Sequence, residues 1–257
     1  MNNTFNMQRF LWLFSKHTKE NYKTYLMSLA VFAGILFISL GYVAYFGGLG
    51  NGTQEGFFAF FLVFSGSVFA SLSFSKLGHK HNAVSILTLP VSTFERFLVS
   101  WIYSFVVFQI VFIVCFYAVD LTIVNISNHN SPVKTEVLDL TSGDIKLYFV
   151  FMYFWFLHGI SFLGSVFFQK LHFIKTALVF FFALIILVFA NQALARLIID
   201  HHVSVKMPFS NLFIQEGTST FYIDTLVSMP IILTLMLLIS ALCFWAAAYF
   251  KLKEKQV

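Results

Sequence analysis

From Thr176 to Ala195 the chain reads TALVFFFALIILVFANQALA, closed off by Lys175 on one side and Arg196 on the other. A helix rises about 1.5 Å per residue and the hydrocarbon core of a bilayer is about 30 Å thick. A charge-free run of this length is what one helical crossing requires. A spanning β-strand would instead alternate apolar and polar residues over about ten positions. Ala177–Ala190 shows no such alternation. Only helices and closed barrels satisfy every backbone N–H and C=O in lipid, so the run predicts a membrane helix.

Working outward, five further windows pass the same test. They lie between Lys23 and Glu55, Glu55 and Lys76, Arg96 and Asp120, Lys146 and Lys170, and Asp224 and Lys251. The predicted spans are approximately 25–46, 56–75, 97–119, 147–169, 176–195 and 228–250. The first begins too late and runs too long for a removable signal peptide. Of the 257 residues, 59% are hydrophobic, 11% are charged and 36 are Phe, against about 25% charged in an ordinary soluble domain. One water-facing core could not bury so much apolar surface, which excludes a soluble enzyme, a disordered chain and a disulfide scaffold. The sequence predicts an all-α membrane protein, residues 1–257 forming a single transmembrane domain of six helices.

The ends of the windows alternate in charge. The N-terminus, the 76–96 and 170–175 segments and the C-terminus together carry twelve basic and three acidic residues; the opposite side carries four basic and eight acidic. Lys and Arg in short loops set orientation. Both termini are therefore expected on the cytoplasmic side of a cell inner membrane, in a multi-pass arrangement. That asymmetry accounts for the net charge of +5, and no nucleic-acid partner is implied. Cys115 and Cys243 lie deep in spans 3 and 6 without metal-like spacing and read as small buried hydrophobes.

The segments between spans carry more information. Phe5–Phe14 holds Phe5, Met7, Phe10, Leu11, Leu13 and Phe14, followed by Lys16, Lys19 and Lys23. Too short to span and basic at its end, it predicts an N-terminal interfacial helix. Between spans 2 and 3, the polar break Gly78–His81 is followed by Ala83-Val84-Ser85-Ile86-Leu87-Thr88-Leu89 and then Pro90. A residue preceding Pro disfavours the helical region, so this reads as a short cytoplasmic helix with a stop. Ser92-Thr93-Phe94-Glu95 then has the form of a capping box for span 3, Ser92 as N-cap and Glu95 three positions on. The short helix either transmits a push or is a plain amphipathic connector. The outer loop 120–146 reads as polar and unremarkable. Residues 196–224 are unusually apolar for a loop, which suggests pieces dipping into the outer leaflet or a helical surface lid.

Polar residues inside the spans need partners. Ser67, Ser71 and Ser75 recur at four-residue spacing beside Gly66 and Ala70, which suits close helix packing within the chain or against a second copy. Gln109 and His158 should face the bundle interior and hydrogen-bond between helices. No acid falls within the six windows, which argues against a proton relay. The pairs His79/His81 and His201/His202 lack accompanying ligands, so no metal site is read. There is no HExxH helix and no GxSxG turn. No catalytic residue and no cofactor is expected.

The stretch from Ser85 to Phe97, Ser-Ile-Leu-Thr-Leu-Pro-Val-Ser-Thr-Phe-Glu-Arg-Phe, resembles the LPxSxxEKF segment between spans 2 and 3 of Bacteroidetes-type ABC-2 permeases. Six spans, cytoplasmic termini and an aromatic-basic N-terminal helix are similar to that family across the whole chain. The resemblance implies the permease subunit of an ATP-driven exporter. It implies a second permease subunit, as homo- or heterodimer, membrane lipid around it, and a separate cytoplasmic ATP-binding cassette ATPase. That ATPase would grip a coupling helix here comprising His81, Val84, Ile86, Leu87, Leu89 and Pro90. It also implies a re-entrant outer element within 196–224, and a pathway or dimer seam in which Ser67, Ser71, Ser75, Gln109 and His158 are candidates. The chain itself has no GxxxxGK[ST] phosphate loop, consistent with ATP hydrolysis in the partner. An ion-coupled or facilitative carrier and a non-transporting membrane scaffold are the alternative readings.

Overall fold

A computed structural model describes residues 5–47, 49–75, 91–130, 134–139, 147–198, 203–205, 212–216, 219–223 and 229–255. Among them, six helices are long and apolar enough to cross a membrane. They are α1 (Met7–Tyr45), α2 (Asn51–Leu72), α3 (93–130), α4 (Leu147–Phe167), α5 (His172–Ile198) and α6 (Met229–Glu254). The expected short cytoplasmic helix at 81–90 lies outside the described residues.

The N-terminal segment is helical, but it is not a separate piece. It runs unbroken into the first span as one helix of 39 residues, against about 20 needed to cross a bilayer. Asn6 starts it, its side-chain oxygen accepting from the backbone N–H groups of Gln8 and Arg9. No Pro or Gly separates Phe14 from Tyr25. The polar residues there support the helix instead. Thr18 Oγ1 and Asn21 Nδ2 donate to carbonyls one turn back, and Lys16 and Glu20 pair at 3.7 Å.

Helix α3 begins at the Ser92 cap, contains a π-helical stretch at Ile102–Val107, and continues to Asn130. It therefore carries Asp120 within it, beyond the boundary read from sequence. Asp120 does not end the helix because it faces protein: fully buried, its Oδ2 accepts from Leu138 N at 3.0 Å. Residues 134–139 form a strap rather than a plain polar loop. Tyr117 donates to Leu138 O, Gln54 Nε2 to Glu136 O, and Asn128 exchanges two bonds with Thr135.

Contacts place the helix ends. Asn6 bonds Glu95, Phe94 and Phe97 pack on Tyr249, Phe74 packs on Phe162, and Lys255 donates to Val166 O. The starts of α1 and α3 thus meet the ends of α2, α4 and α6, while Gln54 at the start of α2 meets the strap after α3. Successive helices alternate in direction, and the basic residues of α1, α3 and α6 share one end.

The core runs through α1, α2, α3 and α4, with Leu36, Phe58, Leu62, Phe112, Phe116 and Phe154 at its centre. Helix α4 is the hub, and glycines let its neighbours approach. A Cβ on Gly66 would lie 2.2 Å from Phe154, and one on Gly164 only 1.9 Å from Thr176 Oγ1. Gly66 is thus spent on packing within the chain. Of the cysteines, Cys115 is half-buried and Cys243 exposed, so burial within the protein does not describe Cys243; its surroundings in a bilayer would be lipid.

Of residues 196–224, Arg196, Leu197 and Ile198 end α5, and the other described residues form not a helical lid but an antiparallel meander of β1 (Val203–Val205), β2 (Leu212–Glu216) and β3 (Ser219–Ile223). Val203 faces Ile214 and Leu212 faces Ile223. Apolar content alone did not distinguish the options. The β-forming Val, Ile, Phe and Tyr favour the extended backbone, and Glu216 pairs with Ser219.

Candidate functional site

Besides the Asp120 strap, three polar constellations stand out among the described residues of the apolar bundle. The first sits at the start of α3. The capping box anticipated from sequence is present: Glu95 N donates to Ser92 Oγ at 3.2 Å and Ser92 N to Glu95 Oε2 at 2.9 Å. Its carboxylate also reaches across the fold. Oε1 accepts from Asn6 N at 2.8 Å and from Arg9 Nη2 at 3.0 Å. Glu95 is fully buried, and a buried carboxylate is tolerable only with such charge-assisted partners. One side chain thereby caps α3 and anchors the first turn of α1 to it. Sequence reading missed the second half, because Arg9 lies 86 positions away.

The second constellation lies where α3, α4 and α6 meet. His158 is fully buried. Trp245 Nε1 donates to its Nδ1 at 3.1 Å, and its Nε2 lies 3.1 Å from Ser104 Oγ. An indole N–H can only donate, so Nδ1 is the acceptor and the proton of the neutral ring is on Nε2. Nε2–H then donates to Ser104 Oγ, whose hydroxyl points to Trp101 O at 3.4 Å. The chain of donors closes without a mobile proton. Ser104 belongs to the π-helical stretch; such insertions shift the register of one face and are common at functional positions. Phe105, Phe154 and Phe162 surround the imidazole. The expectation that His158 bonds between helices is met. Trp245 and Ser104 were not singled out; a lone indole in an otherwise apolar span was the available signal.

The third is a cavity of about 400 Å³ at the basic end, between the first half of α1, the end of α2 and the start of α3. His17 Nε2 and Tyr25 OH are 2.7 Å apart, Thr18 and Tyr103 are hydrogen-bonded, and the His17 ring lies 4.5 Å from that of Tyr103. Arg96, nearly buried, forms part of the wall.

The remaining candidates are dispersed. Ser71 is fully buried and donates to Val68 O, while Ser75 donates to Leu72 O and lines the polar cavity. Ser67 lines a separate apolar hollow between α2, α4 and α5. Gln109 is half-buried just after the π-helical stretch. His81, Val84, Ile86, Leu87, Leu89 and Pro90 lie outside the described residues. Among the described residues no cluster of His, Cys, Asp and Glu could hold a metal.

No family model, no curated protein and no solved structure matches the chain.

Proposed function

We propose that the chain is the permease subunit of an ABC-2 type exporter in a cell inner membrane, paired with a second permease subunit and driven by a separate cytoplasmic ATPase. The observation that carries this reading is the double role of Glu95. In the proposed mechanism the ATPase pair closes on ATP and pushes the stub at 81–90. In this reading Pro90 stops the stub, and the Ser92–Glu95 box starts α3 two residues on. The bonds from Asn6 and Arg9 to Glu95 then pass the displacement to α1 as well, so two spans move as one body.

The test is affinity purification of the tagged full chain from its native membrane. A nucleotide-binding ATPase should co-purify, and Ile86→Glu with Leu87→Glu should reduce that association at least tenfold without lowering the amount of chain in the membrane. An ATPase retained equally by the doubly substituted chain sinks the reading. The carrier alternative has one observation in its favour, since Asp120 is a fully buried acid within α3. Proton-driven flux without ATP that is lost in Asp120→Asn would establish that alternative instead.

A further inference from the structure

We propose that the polar cavity at the basic end binds a phosphate-type anionic headgroup, such as that of an anionic phospholipid in the adjoining leaflet. Its volume of about 400 Å³ falls within the range of small-molecule sites, roughly 300–1,000 Å³. Cationic groups come from two walls: Lys16 from α1 and Arg96 from α3, with the His17 ring beside them. Arg96 is only 6% exposed. A guanidinium stays charged at any physiological pH, and its planar fork matches two phosphate oxygens at once. Held in a low-dielectric wall, it attracts an anion far more strongly than a solvated lysine does. Among the described lining residues Glu20 is the one acid, and it is 3.7 Å from Lys16.

The neutral part of the lining fits the same occupant. The hydroxyls of Thr24, Ser28 and Ser100 line the cavity and can donate to the remaining phosphate oxygens. Leu72 stands at the mouth, lining the cavity while 55% exposed. On α1, Met27, next to the lining residue Ser28, is exposed on apolar helix surface that lipid would cover in a membrane protein. A headgroup inside with its acyl chains over Leu72 satisfies both surfaces. The inference is independent of the exporter reading, because binding requires no ATPase.

The purified full chain would be reconstituted into vesicles of equimolar phosphatidylglycerol and phosphatidylcholine, re-extracted in detergent, and its retained lipid measured by native mass spectrometry. The chain should retain phosphatidylglycerol at least tenfold over phosphatidylcholine, and Arg96→Gln should bring that ratio near one. Because Arg96 is nearly buried, Ser28→Trp at the exposed rim provides a second route; it obstructs the mouth without touching the core and should lower retention at least fivefold. Equal retention of both lipids by the unaltered chain overturns the proposal, as does undiminished preference in both variants. Inorganic phosphate added at millimolar concentration distinguishes the sources. Displacement of the lipid shows that the anion alone suffices, and retention shows that the acyl chains contribute to binding at the same site.

Discussion

Helices α4 and α5 follow one another in the chain and are both membrane-length, yet they occupy opposite situations. Half of the most apolar window of α4 is buried inside the protein, against 6% for α5, although α5 is the more apolar of the two. The only buried residues of α5 are His172 and Thr176, near its start, while Phe182, Leu187 and Phe189 are exposed. Helix α4 buries Gly159, His158, Ser161, Gly164 and Ser165 alongside its aromatics. Lipid is as apolar as Leu, so grease gains nothing by turning inward. What faces protein in a bilayer is whatever lipid cannot serve, namely groups that need hydrogen bonds and small residues that admit a neighbouring backbone.

The largest expected effect comes where the two helices touch. A Cβ on Gly164 would meet Thr176 Oγ1 at 1.9 Å and Thr176 Cβ at 2.8 Å. Gly164→Ala should therefore destabilise the detergent-purified chain by about 2–3 kcal/mol, read as a fall in its thermal unfolding midpoint. Thr176→Gly added to it should recover part of the loss, since the two positions share one contact. A Gly164→Ala chain as stable as the parent would mean that α5 is not docked here.

A smaller effect is expected within α4 itself. His158→Phe fits among Phe105, Phe154 and Phe162 but leaves Trp245 Nε1 and Ser104 without their partner. Interhelical bonds in membranes contribute about 0.6–2 kcal/mol, and the loss should fall in that range. His158→Phe combined with Trp245→Phe should cost less than the two separate changes added together, a double-mutant cycle that measures their coupling. Additive losses would dissolve the node into unrelated packing positions.

How far the chain could be read in advance follows the same division. Six spans were legible because a bilayer imposes length and apolarity on every crossing, and the Ser92–Glu95 box because capping is local in sequence. The partners were not legible. Arg9 and Asn6 reach Glu95 across more than 80 residues, and Trp245 reaches His158 across 87. Asp120 was read as the end of a span because a charge in lipid is costly. Burial against the 134–139 strap supplies the missing bond, and the helix continues. The strands Val203–Val205, Leu212–Glu216 and Ser219–Ile223 were missed because apolar content is equally compatible with a lid. Residues 81–90, where the exporter reading places the ATPase, are known from sequence alone.

The smallest effect should be on the outer face of α5. Phe182 is 63% exposed, and in lipid its ring contacts acyl chains whether or not the protein is folded. Phe182→Ala should accordingly change stability by less than about 0.5 kcal/mol. The exporter reading gives this measurement a second use. That reading requires a second permease subunit, and a seam must cover some face that a single chain leaves bare. If Phe182→Ala instead costs more than about 1 kcal/mol, and the cost disappears as the protein is diluted, the ring is packed against another copy. The contrast between α4 and α5 would then be one of when each helix is buried, α4 on folding and α5 on assembly.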